Sequence, residues 1–236
     1  MPRPIVSGLA SAALFDVQPL RCRRCPAGAV PAELGSADHV RADHTARCDR
    51  GLSTLSSVGS FMESLGPVVS FFSQKVKEKL ELIRRLAGTP GPKRAAYRSV
   101  RSMAEVEIRA GVVDFTRRTD SGCRTLLRLH RSLLWLAMTL DGLTHAPDRH
   151  GRLKTPGELS SDAYQVALAP HHPWVLRQAA ELVFVALPDR EHFLRLVCAQ
   201  NQPEAEPVLR VISRALEKVH GATQRILEEH AMLDLP

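Results

Sequence analysis

Aromatic residues are scarce in this chain: seven Phe, two Trp and two Tyr make up 5% of its 236 positions. Its apolar stock is chiefly Leu, Val and Ala, which favours packed helices over a β-sandwich. No apolar run reaches the ~18 residues of a bilayer-spanning helix, so the chain reads as soluble. The start, Met1 to Phe15, has one early Arg and a weak apolar patch, a poorly formed signal peptide at best. Five cysteines is an odd number, and Cys123 and Cys198 lie inside apolar runs, which points to reduced core thiols in a cytoplasmic protein and against a disulfide framework. Also missing are a Gly-rich phosphate loop after a strand, a G-x-S-x-G elbow and an H-E-x-x-H pair. His172, Asp162 and a nearby serine lack both a strained nucleophile turn and an oxyanion donor pair, so hydrolysis is set aside. The chain is read as non-enzymatic, with no cofactor and no bound metal.

What is present begins with charge. The formal net charge is +7, from 32 basic and 25 acidic residues, which suits phosphate-bearing or anionic-surface partners. The stretch Ser121 to Leu136 concentrates it. Wound as a helix, this stretch aligns Arg124, Arg128, Arg131 and Trp135 on one stripe, because offsets of four, seven and eleven return to nearly the same angle. Leu126, Leu127, Leu129, Leu133, Leu134 and Leu136 fill the rest of the wheel. A helix so apolar packs on most sides, and a buried guanidinium is costly unless paired. The stripe therefore calls for acidic partners or an anionic ligand, and the ligand is the reading adopted.

Read in order, residues 1–52 form an irregular N-terminal segment rich in proline and scattered charge. Cys22, Cys25, His39 and His44 nearly match a zinc-finger spacing. Pro26, Gly28 and Pro31 stand where a finger needs its hairpin and helix, so zinc is set aside. From residue 53 onward the pattern turns helical. Phe61 to Gly66 looks like a helix closed by Gly-Pro. Val68 to Ala87 carries Phe72, Val76, Leu80 and Ile83 on one face, with Lys75 and Lys79 beside them. A third helix is expected over Arg94 to Phe115, then the arginine helix to Leu143. A polar loop over Thr144 to Glu158 leads to a short helix from Ser161 to Leu168. Further helices are expected over Val175 to Leu187 and from Pro188 to about Cys198. Gln202 to Pro207 reads as a loop before a last helix from Val208. The fold class is all-α, a two-layer helical package.

Three separated motifs carry a resemblance: Ser121 to Leu136, Asp162-Ala-Tyr164 with His172-Pro-Trp174-Val-Leu-Arg177, and Leu233-Asp-Leu-Pro236. Together, over about Phe61 to Pro236, they resemble the glycolipid transfer protein superfamily. The resemblance implies a two-layer all-α sandwich over 53–236, with a surface headgroup site above an apolar pocket for ceramide chains. It implies a lipid carrier that performs no chemistry. By position, Arg124, Arg128 and Lys79 match phosphate-binding residues, Arg118 a basic residue at the rim, and His172 the histidine that bonds the ceramide amide. Sugar-binding members carry a tryptophan at the position of Arg128, so Arg here argues for a phosphorylated sphingolipid, ceramide 1-phosphate, over a glycolipid. Trp174 resembles an exposed membrane-docking aromatic. Its other reading is a core Trp at a helix start.

Two departures stand out. Lys75 replaces an acidic residue that bonds the ceramide amide and hydroxyl, and a lysine has no acceptor, which leaves it at the headgroup rim. The family's first helix is not visible in residues 1–60. Arg131 and Trp135 have no matching role and are read as packing. A glycosphingolipid carrier and a family member that senses lipid without transporting it are the alternatives. A nucleic-acid binder is set aside, because Arg124 and Arg128 lie on an otherwise apolar helix.

Overall fold

The structure is a computed structural model that describes residues 67–88, 96–196 and 199–236. The segment read as irregular (1–52), the helix expected at Phe61 to Gly66 and the Cys22, Cys25, His39, His44 spacing lie outside these residues. All regular elements of the described part are helical: α1 (Pro67–Gly88), α2 (Val100–Arg109), α3 (Gly122–Gly142), α4 (Pro156–Ala167), a 3-10 turn (Ala169–His171), α5 (Trp174–Val185), α6 (Arg190–Leu196) and α7 (Gln202–Glu229).

Local chemistry explains where these boundaries differ from the expected ones. The third helix is shorter than Arg94 to Phe115. Ser99 caps its start, its Oγ accepting from the amide of Ser102 at 3.0 Å, and Gly111 ends it at φ +65°, a conformation that favours glycine. Helix α4 begins at Pro156, five residues ahead of expectation. Thr155 and Glu158 form a reciprocal capping box there: Thr155 Oγ1 accepts from the Glu158 amide at 3.2 Å, and Glu158 Oε2 accepts from the Thr155 amide at 2.7 Å. Helix α7 likewise starts at Gln202 and takes in the stretch expected as a loop. Asn201 Oδ1 accepts from the Glu204 amide at 3.0 Å, and both Pro203 and Pro207 lie on the exposed side of the first turns. The helix expected to run to Cys198 spans Arg190–Leu196, with Val197 and Cys198 outside the described residues.

Helix α3 is central. It packs against α7, α4, α1 and α2, and its leucines at 126, 127, 129, 133, 136 and 140 are buried with Leu80, Ile83, Met103, Leu209, Leu216 and Leu227 from around it. A second, smaller apolar cluster joins Tyr164, Ala169, Ala180 and Phe184 between α4 and α5. Helix α5 buries only Ala180 and Phe184. Its Val175, Leu182 and Val185 are 70%, 75% and 87% exposed. Gly157 admits the close approach of α4 to α5, since a Cβ there would meet the carbonyl oxygen of Phe184.

The start of α3 is fixed by a buried carboxylate. Glu107 of α2 accepts from the Gly122 amide at 2.8 Å, the Cys123 amide at 2.9 Å and the Tyr97 hydroxyl, while Ser121 Oγ accepts from the Arg124 amide at 3.0 Å. The first-turn donors are thereby satisfied, and a negative charge sits at the positive end of the helix dipole. Gly122 leaves room for this: a Cβ would stand 2.8 Å from Met103 Sδ and 3.0 Å from Glu107 Oε1.

Further along α3, buried His130 stacks on His220 of α7, with centroids 3.9 Å apart, and its Nε2 meets Gln224 Oε1 at 2.6 Å. Burial, then His220, pushes the His130 pKa down to about 4, with nearby Arg131 acting in the same direction.

Two expectations follow from these contacts. Glu107→Ala strands two amides and a phenol, so urea denaturation should show a loss of about 2–4 kcal/mol, and an unchanged midpoint would contradict the capping role. For His130, the unfolded chain binds a proton near pH 6.5 and the folded chain only near 4. Stability is thus full above about 6.5 and falls progressively toward pH 4. Thermal melts across that range should show the decline, and His130→Phe should make it shallower, leaving the part due to His171, His172 and His220, whose pKa values burial also lowers.

Candidate functional site

Between the main core and the α4–α5 cluster lies a cavity of about 710 Å³, within the range of about 300–1,000 Å³ usual for small-molecule sites. One part of its wall is apolar, from buried Leu133 and Leu136 of α3, Phe184 of α5 and Phe193 of α6, with half-buried Val183 and exposed Leu176 beside them. Its other end is cationic. Lys75, Lys79, Arg118, Arg124, Arg128 and His172, the residues singled out from sequence, all line it.

Each cation arrives by a distinct local device. Helix α1 carries Lys75 and Lys79 one turn apart. Lys75 Nζ bridges to Glu78 at 2.8 Å, and Lys79 Nζ donates to the Lys75 carbonyl at 3.1 Å. Arg118 follows a tight turn built on Asp114, whose Oδ1 accepts from the Thr116 and Arg117 amides at 2.8 and 3.0 Å. Arg124 and Arg128 project from α3. Arg124 Nε donates to the main-chain oxygen of Pro236, which brings the segment Leu233 to Pro236 onto the cavity.

The stripe is less buried than the sequence reading supposed. Arg124 and Arg131 are half-buried, and Arg128 counts as exposed, because the stripe faces the cavity and not the core. Partial desolvation followed by repulsion from Arg124 and Arg118 still lowers the Arg128 pKa. Burial, then Arg128, lowers that of Lys79. These positive groups destabilise one another, and an anion among them would relieve the strain.

His172 sits half-buried beside the cations, its Nδ1 2.9 Å from the hydroxyl of buried Tyr164. Burial, then His171, Arg128, Arg131 and Lys79, lowers its pKa, so the ring is neutral near pH 7. Trp174 opens α5 and is 65% exposed, which removes the core reading of this residue. It adjoins Pro173, a lining residue, without itself lining the cavity.

Arg131 and Trp135, set aside from sequence as packing, are both on the cavity wall. Arg131 NH2 donates to the Leu233 carbonyl at 2.6 Å, and Trp135 Nε1 donates to the Ser160 carbonyl at 3.0 Å while its ring stacks on Phe184. Their shared angle with Arg124 on the helical wheel was the available signal. Asp234, also on the wall, gave none, since its place depends on where the chain returns after α7. No helix among the described residues is long and apolar enough to cross a membrane.

Comparison with known proteins places this geometry. Residues 49–199 match the family model described as glycolipid transfer protein. The chain is 40% identical over 182 residues to the ceramide-1-phosphate transfer protein of Homo sapiens, covering 75% of this chain and 81% of that one. It is 36% identical over 187 residues to the same-named protein of Danio rerio, covering 75% and 82%. Among solved structures, human ceramide-1-phosphate transfer protein in complex with 12:0 ceramide 1-phosphate superposes with a TM-score of 0.74 at 36% identity, covering 81% of this chain and 91% of that one. The mouse protein in its apo-form gives 0.74 at 35% identity, covering 84% and 94%. The fungal glycolipid transfer protein HET-C2, at 18% identity and a TM-score of 0.65, shares the fold. The all-α two-layer sandwich expected from sequence is thus the observed architecture, and this chain belongs to the glycolipid transfer protein family.

Proposed function

We propose that the chain is a non-enzymatic carrier that takes ceramide 1-phosphate from one membrane, holds it as a single soluble complex, and releases it at another. One observation carries the reading: a cationic cluster stands at the mouth of an apolar cavity, with Arg124, Arg128, Lys79 and Arg118 on one wall system. A phosphomonoester carries close to two negative charges and three acceptor oxygens near neutral pH. Arginine forks fit those oxygens, and lysine adds a point charge. His172 faces the region just below, where a ceramide amide would lie, and the apolar walls take the chains. Solved relatives that hold ceramide 1-phosphate and the names of the most similar curated relatives support the same ligand.

Exposed Trp174 and Val175 at the start of α5 adjoin the mouth and suit a bilayer interface, where the amphipathic indole is favoured. Contact with membranes is therefore peripheral, on cytosolic faces. The cationic groups face a cavity with an apolar floor, a poor shape for a nucleic-acid backbone.

Vesicle-to-vesicle transfer of fluorescent ceramide 1-phosphate tests the proposal. Transfer of a galactosylceramide probe with none of the phosphorylated lipid would overturn it in favour of a glycosphingolipid carrier. Binding without transfer would mark a lipid sensor instead. Arg128→Leu should slow transfer by about tenfold or more, the worth of one charge-assisted hydrogen-bonding group, with helical circular dichroism unchanged. Trp174→Ala should weaken vesicle association and slow transfer several-fold while leaving lipid affinity in detergent intact.

A further inference from the structure

The polar wall of the cavity consists almost entirely of donors. Its charged lining side chains are Lys75, Lys79, Arg118, Arg124, Arg128 and Arg131, against one side-chain carboxylate, Asp234, and the main-chain oxygen of Pro236, which Arg124 occupies. Asp234 is an exposed residue whose charge acts on Arg131, at the side where Leu233 to Pro236 crosses α3. The hydroxyls nearby face main-chain acceptors: Ser132 Oγ donates to the Arg128 carbonyl at 3.0 Å, and Thr139 Oγ1 donates to the Trp135 carbonyl at 2.8 Å.

His172 completes the pattern. A phenol is a stronger donor than acceptor, which favours the tautomer in which the Tyr164 hydroxyl donates to Nδ1 across 2.9 Å. The neutral ring then carries its proton on Nε2, the nitrogen turned away from Tyr164, and is a donor toward a ligand. A wall of this kind recognises acceptors: phosphate oxygens first, then a carbonyl. Its one side-chain carboxylate, Asp234, acts on Arg131, so an amide N–H finds little to recognise it, while an ester carbonyl can meet the Nε2 donor, as a weaker acceptor than an amide carbonyl.

Charge sharpens the choice of headgroup. Several cations converging on one wall, where burial and then neighbouring positive charge lower the pKa of Lys79 and Arg128, favour a dianion over a monoanion, so a phosphomonoester is preferred to a phosphodiester.

We propose that this cavity selects its ligand by phosphomonoester and carbonyl, not by amide, so that phosphatidic acid, the diacylglycerol monophosphate, is a second ligand of the same site. The proposal rests on the reading of the cavity as a lipid-phosphate site. Lys75 is the specificity-determining position. It stands at the rim one turn from Lys79, whose Nζ bonds its carbonyl, and a carboxylate there would place an acceptor beside the headgroup.

The experiment uses the full chain and vesicles loaded in turn with ceramide 1-phosphate, phosphatidic acid and phosphatidylmethanol of matched acyl chains, with transfer rates compared. Phosphatidic acid should move within about threefold of ceramide 1-phosphate, and phosphatidylmethanol, a diester, about tenfold more slowly or worse. Lys75→Asp should raise the preference for ceramide 1-phosphate over phosphatidic acid by about fivefold or more, since an N–H donor then gains a partner. Phosphatidic acid moving over tenfold more slowly than ceramide 1-phosphate in the unaltered chain would overturn the proposal and leave the carrier reading intact. Transfer of phosphatidic acid alone would uphold it and overturn the sphingolipid reading. Transfer of neither lipid would overturn both.

Discussion

Like charges held close together on the most buried helix among the described residues set the terms for everything around them. Arg124, Arg128 and Arg131 emerge from α3, whose other faces are packed with leucine, and Lys79 and Arg118 converge on them from α1 and the loop before α3. Such a cluster cannot be folded into a core without neutralising partners. The fold resolves the conflict by leaving one side of α3 open to a cavity. Water or a ligand can then meet the guanidinium groups there. The same end of the helix is anchored on its inner side, where Glu107 satisfies the Gly122 and Cys123 amides from within the core.

The cavity exists because two apolar clusters do not merge. One surrounds α3; the other joins α4 to α5. Helix α5 is attached chiefly through α4, at the close approach allowed by Gly157, and its outer apolar face is exposed. An element packed on one side alone can shift with less loss of contact than one buried on several. Phe184 and Trp135 stack across the boundary between the clusters and line the cavity they separate. Headgroup end and chain end thus draw on different residues, the first on cations of α1, α3 and the loop before α3, the second on apolar faces of α3, α5 and α6.

Much of this was legible in the sequence. The aliphatic wheel of α3 and the angular alignment of its arginines follow from helical periodicity alone, and both survive in the structure. Family-like motifs then pointed to Lys79, Arg118 and His172, which periodicity could not have joined to α3 because they are distant along the chain. What was missed has a common cause. The helix starts at Pro156 and Gln202 were read as loops because prolines there outweighed the capping signals of Thr155-x-x-Glu158 and Asn201-x-x-Glu204. The exposure of Arg128 and the role of Leu233 to Pro236 as part of the wall are tertiary facts, set by where α3 is left uncovered and where the chain returns after α7. Glu107 carries no signal of its own in the sequence, because its place against Gly122 depends on the pairing of α2 with α3.

The central claim is that the cationic cluster holds a lipid phosphate above chains buried in the cavity. Native mass spectrometry of the purified chain mixed with equal amounts of ceramide 1-phosphate and the unphosphorylated ceramide of the same chains tests it most directly. One lipid should be bound per chain, nearly all of it phosphorylated. Equal retention of the two lipids, or no bound lipid at all, would contradict it.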